Sequence, residues 1–141
     1  MAGFFRVSGA ENIEHIKKTA STAFAPGMLV NRVSAYALPA DATSGDHIGV
    51  CMQTFAATDA TNDTIMVDVA GENDIFEVGC AVSTLATLTA LIGTYIDLTS
   101  STVADATASS KDALLVVGVL STSKILVKIA SRENILRTAT T

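Results

Sequence analysis

Residues 63–80, DTIMVDVAGENDIFEVGC, decide the fold class. Ile65, Val67 and Val69 alternate with Met66, Asp68 and Ala70, and a second alternating set follows at Phe76, Val78 and Cys80. A period of two puts each set on one face of an extended strand, so both arms present an apolar side. Between them Gly71 and Asn73 tolerate positive φ, and Asp74 can bond its own backbone. The stretch therefore reads as a β-hairpin reversing at GEND. An isolated hairpin is marginal in water, so further strands are expected to cover its apolar face.

Such strands are found on both sides. Residues 28–38, MLVNRVSAYAL, follow the turn signal Pro26-Gly27 and break strict alternation, which predicts a bulge or two short strands ended by Pro39. Residues 41–47, DATSGDH, form a loop before a strand over 48–55, IGVCMQTF. Residues 81–101, AVSTLATLTALIGTYIDLTSS, carry two periods. Leu85, Leu88, Leu91 and Ile92 fit a helix, but the repeated Thr favours two β segments bent at Gly93. Residues 103–110 read as a polar connection. LLVVGVL (114–120) predicts a strand buried on both faces, with Gly118 marking a bend or close backbone approach. KILVKI (124–129) predicts a strand with one wet face, and the two form a second hairpin. No helix is long enough to cross between parallel neighbours. The expected class is all-β and mainly antiparallel, a small β-barrel or sandwich around one core.

The ends are different in character. In residues 1–24 Ser8 and Glu11 have capping-box spacing, and Ile13 and Ile16 have helical spacing, which suggests a short helix. An extended arm tipped by Phe4 and Phe5, or a terminus without order, fits the same residues. The expected division is an N-terminal arm over 1–24, a β-domain over 25–131 and a C-terminal tail over 132–141.

Composition narrows the function. Of 141 residues 49% are hydrophobic but only 5% aromatic, with no Trp, and the mean hydropathy is +0.44. Charged residues are 16%, against about 25% in an average domain, so little charge is left to cover the surface. That shortage favours association with copies of the same chain or a larger assembly. The net charge of −5 and the absence of a basic run disfavour nucleic-acid binding. No apolar run approaches the roughly 18 residues of a membrane span, and the N-terminus does not read as a signal peptide, so a soluble, unexported protein is expected. Cys51 and Cys80 match neither a redox pair nor a zinc knuckle and read as buried free thiols.

Catalytic or ligand-binding groups are sparse. The two histidines, His15 and His47, belong to no recognisable nucleophile, metalloprotease, phosphate or dinucleotide motif, so no enzyme and no cofactor is expected. Asp41, Asp46 and His47 could supply oxygen and nitrogen ligands, as could Asp59, Asn62 and Asp63, but loop carboxylates of this kind ordinarily form solvated turns. Glu72 and Asp74 are expected to point into water from the GEND tip, and Lys17-Lys18 to form a solvated face.

Five segments, APGMLV (25–30), HIGVC (47–51), ATDATNDTIMVDVAGENDIFEVG (57–79), GTYIDLTSS (93–101) and LLVVGVLSTSKILVKI (114–129), together resemble tailed-phage virion proteins of the small capsid decoration, or cement, type. The resemblance runs from about residue 25 onward and rests on strand order and turn style. It implies a non-enzymatic structural protein that binds the outer surface of an assembled head, commonly as a homotrimer, and stabilises it by bridging major capsid subunits. The implied location is the capsid exterior, after assembly in the host cytoplasm. Terminal arms make capsid or intersubunit contacts in such proteins, and here Phe4, Phe5 and Arg6 are the candidate contact residues, although no contact motif of the family matches residues 1–24. The other reading is a soluble β-domain that binds a ligand or receptor, such as a fibre, tail or carbohydrate-binding module. Only Tyr36 and Tyr95 could offer a sugar platform.

Overall fold

The computed structural model describes residues 3–42, 47–61, 63–109, 111 and 113–130. Half of the chain is strand and 4% is helix, which makes the fold all-β as expected. The strands fall into two sheets rather than one meander. The first contains β1 (Phe5–Ser8), β7 (Ile75–Cys80), β8 (Tyr95–Ser100), β9 (Val103–Asp105), β10 (Leu114–Ser121) and β11 (Lys124–Ile129). The second contains β2 (Ile13–Lys17), β3 (Leu29–Val33), β4 (Tyr36–Pro39), β5 (His47–Cys51) and β6 (Thr64–Val69).

The first sheet closes on itself. Its order is β1-β7-β11-β10-β8-β9, and β9 returns to pair with β7 in parallel, Gly79 opposite Val103 and Cys80 opposite Ala104. Five strands thus form a barrel small enough for side chains to fill. β7 shares one edge between two partners: β1 lies along Ile75 to Glu77, and β9 takes the end of the strand. The predicted hairpin of β10 and β11 is present. Its register shifts between Val116 and Gly118, the position at which a bend was expected. Ile125, Val127 and Ile129 of β11 are buried, whereas in β10 only Leu114 and Val116 are, so β10 is less enclosed than its apolar run predicts.

The second sheet, in the order β2-β6-β5-β3-β4, is antiparallel throughout, and its first and last strands meet at a single parallel bridge between Lys18 and Ala37. The break in alternation over residues 28–38 is a tight hairpin, with Ser34 at φ 56 between β3 and β4.

Both strands of the 63–80 stretch exist, but they do not pair. β6 lies in the second sheet and β7 in the barrel, so GEND is a passage between sheets. Among the described residues up to 24 there is no helix. They contribute β1 to the barrel and β2 to the second sheet, and Phe24 bridges to Phe55. Residues 81–93 do hold the short helix that Thr content argued against. In α1 (Leu85–Thr89) the Thr84 hydroxyl accepts the Thr87 N–H at 3.1 Å, an N-cap that explains Thr there, and Leu88 is fully buried.

The core is double. One cluster fills the barrel, from Phe4, Phe76, Leu114 and Val127 among others, and includes Leu29 and Val50 of the second sheet. The other, with Phe24, Val30, Cys51, Ile65 and Val67, lies on the opposite face of that sheet. Consecutive residues therefore serve different cores: Leu29 and Val50 point to the barrel, Val30 and Cys51 away from it. Alternation along a strand makes this possible, since β3 and β5 are sandwiched between two apolar masses.

Candidate functional site

The chain crosses from β1 to β2 at residues 9–12 and returns from β6 to β7 at residues 70–74. These crossings lie side by side, and the residues expected to form an exposed N-terminal tip are built into their junction. Phe4 is 1% exposed and belongs to the barrel core. Arg6 lies on β1 with its guanidinium over the Phe76 ring, 4.9 Å from the centroid. Its Nε donates to Asp68 Oδ2 at 2.9 Å and its Nη2 to Asp68 Oδ1 at 2.6 Å, a bidentate pair, while Nη1 lies 3.0 Å from Asp74 Oδ1. Phe5, like Arg6, is half-buried, and both lie on the wall of a cleft of about 210 Å³.

Backbone groups complete the arrangement. Asp68 Oδ1 also accepts the Asn12 N–H at 3.1 Å, and Asp74 Oδ2 accepts the Gly71 N–H at 2.7 Å. Gly9 stands at φ +96 against the Asp74 carboxylate, where a Cβ would collide with it. A glycine is therefore required on both conformational and steric grounds. Asp74 does not point into water, contrary to expectation. It spans the passage and ties it to β1. Asp68 escaped the sequence reading because it alternates with buried valines and so looked like a wet-face residue. The one available signal was an isolated carboxylate within a strongly apolar strand.

Chemically the junction is saturated. The two carboxylates, Asp68 foremost, hold the Arg6 guanidinium well above its usual pKa, against the opposing effect of burial. The nearby Cys51 thiol is pushed up by burial, and its Sγ–H donates to the Gln53 carbonyl at 3.1 Å. A thiol held neutral is a poor nucleophile. Cys80 is likewise buried, free and raised by desolvation.

The other candidates are dispersed. His47 is buried at the start of β5, Asp41 lies on an exposed loop, and Asp46 falls outside the described residues. Asn62 is also outside them. The Thr61 hydroxyl lies 2.8 Å from both Asp59 Oδ1 and Asp63 Oδ2, and the Thr61 N–H and hydroxyl hold the Asp59 carboxyl below its usual pKa. Lys17 is exposed, but Lys18 is not on a solvated face: it is fully buried, its Nζ donating to Thr61 O at 2.9 Å, 3.6 Å from Asp59 and 5.3 Å from the centre of the Phe55 ring. The expected C-terminal tail, 132–141, lies outside the described residues. Among the described residues no three His, Cys, Asp or Glu side chains converge as metal ligands.

What the surface does offer is apolar. Val82 is 80% exposed, Leu85 55%, Leu120 50% and Ile92 46%. All four come from the segment around α1 and the adjoining end of β10, where the Ser83 N–H bonds Thr122 O and the Gly93 N–H bonds Val116 O. Comparison with family models, with curated proteins and with solved structures returns no match to this chain.

Proposed function

We propose that this protein is a non-enzymatic structural component of a phage virion that docks on the outer surface of an assembled capsid, with copies of itself, and stabilises the shell by bridging major capsid subunits. The observation that carries the reading is the exposure of Val82, Leu85, Ile92 and Leu120 along the segment around α1 and the adjoining end of β10. A chain with so few charges that still leaves these side chains in water is suited to burying them against another protein surface. The buried cations serve the fold, Arg6 by joining the sheets through Asp68 and the Lys18 ammonium by holding Thr61 O beside Asp59, which fits a scaffold whose work is contact. Many weak identical contacts over a shell add up to firm attachment, and a protein that binds only the assembled form stabilises it by mass action.

The test mixes purified protein with expanded heads that lack it and measures co-sedimentation and heat release of the packaged contents. The wild-type chain is expected to bind and to raise the release temperature, and the double variant Val82→Asp, Leu120→Asp to lose binding while keeping its circular-dichroism spectrum. Failure of the wild-type chain to bind across a broad salt range overturns the reading. Deleting residues 1–7 is unsuited to locating the contact, because it removes β1 and Phe4 from the fold. Phe5→Ala is the sound probe of that region.

A further inference from the structure

Among the described residues, β2 is paired with a strand along one side, and its other side is met only where Lys18 bridges Ala37. The Lys18 N–H bonds Asp63 O at 2.8 Å and the Val69 N–H bonds Asn12 O at 2.8 Å, so residues 12, 14, 16 and 18 are those whose backbone groups face β6. Ile13, His15 and Lys17 therefore direct their N–H and C=O groups to the opposite side. Thr19, next in that series, uses its N–H across the same side to bond Ala37 O at 3.0 Å, where β2 and β4 touch. From Lys17 back to Ile13 the strands diverge, and β2 is the last strand of its sheet among the described residues. An open groove of about 470 Å³ runs there, lined by residues 13–17 with Arg32 and Ala35 of the β3–β4 hairpin.

We infer that this edge accepts an extended, acidic segment of a partner protein as an added strand, wedged between β2 and the β3–β4 hairpin. The backbone provides Ile13, His15 and the N–H of Lys17 facing outward in the register that Thr19 already uses, which is what strand addition needs. The side chains supply the selectivity. Lys17 and Arg32 flank the groove against a single carboxylate, Glu14, in a molecule whose net charge is −5, so this groove is cationic where the whole is not. An incoming strand that sets a carboxylate opposite Lys17 could lay an apolar residue on Ile13, which shares that face and is 37% exposed, while a carboxylate on its other face would meet Arg32 beside Glu14. The inference stands apart from the capsid reading, since it follows from backbone direction and local charge alone.

The experiment uses the full chain, isotope-labelled, with two capped octapeptides of alternating Thr/Val and either Glu or Lys. Saturating Glu peptide is expected to slow amide exchange at Ile13, His15 and Lys17 by about tenfold or more, with the Lys peptide leaving them unchanged. His15→Pro removes an outward N–H that the β6 ladder does not use and is expected to weaken the Glu peptide about tenfold. Should that variant not fold, Lys17→Glu is expected to weaken the Glu peptide and to admit the Lys peptide. Equal binding of both peptides, or unaltered exchange at the three amides, overturns the proposal and leaves Lys17 as a guard against strand pairing. So does protection of those amides in the free chain: concentration-dependent protection assigns the edge to a second copy, and protection lost on deleting residues 132–141 assigns it to the chain's own terminus.

Discussion

Arg6, grouped in the sequence with an exposed-looking apolar tip, is built instead into the junction between the two sheets. Its neighbours Phe4 and Phe5 suggested a sticky tip, yet it joins β1 to Asp68 on β6 and Asp74 in the passage, with side-chain exposures of 15%, 7% and 13%. Removing it strands two carboxylates at a site with little access to water. Arg6→Ala is expected to lower stability by about 3 kcal/mol, within the range for breaking a buried ion pair. Urea unfolding at low salt and in 1 M NaCl checks this, and the loss is expected to persist at high salt because enclosed pairs are poorly screened. What sequence could not convey here is distance along the chain. The partner of residue 6 is residue 68, and neither position carries a motif that announces the other.

Most strands were legible as elements, because alternation such as that of Ile65, Val67 and Val69 has only one economical explanation. Their partners were not. A turn rich in Gly, Asn and Asp reverses a hairpin and links two sheets with the same residues, so β6 and β7 were found and mispaired. The misjudged helices failed for a related reason. Ile13 and Ile16 at a spacing of three mimic a helical stripe, yet in β2 they point to opposite sides, while Thr84 and Thr87, counted as β-formers, act together at a cap. The exposed apolar residues around α1 were hidden in the same ambiguity, since a stripe of Leu looks like core, yet only Leu88 of α1 is buried and Leu85 is 55% exposed. At this scale Gly49 is decisive. It sits in β5 between Val30 and Val69, and an added Cβ would strike the Asp68 carbonyl of the adjacent strand. Gly49→Ala is expected to cost about 2–3 kcal/mol, since backbone, unlike a side-chain tip, cannot step aside. Chemical denaturation with an unchanged slope verifies that the sheet is strained and not rearranged.

Across the whole molecule the two sheets are expected to unfold as one, because Leu29 and Val50 of the second sheet complete the core of the barrel. With no Trp, Tyr36 on β4 and Tyr95 on β8 report on one sheet each. The variants Tyr36→Phe and Tyr95→Phe are expected to give coincident fluorescence transitions on heating once each is normalised to its own circular-dichroism midpoint. Separate transitions would mean that the shared core does not couple them. The coupling also bears on synthesis. Every strand of the second sheet, residues 13–69, lies between β1 and β7, so that sheet can pair while the rest of the chain is still on the ribosome. β1 meanwhile must wait for β7, and the barrel closes only when β11 emerges. Phe4 therefore lacks the barrel strands that enclose it until β7 and β11 have been made, a window of partial exposure that follows from nesting one sheet inside another.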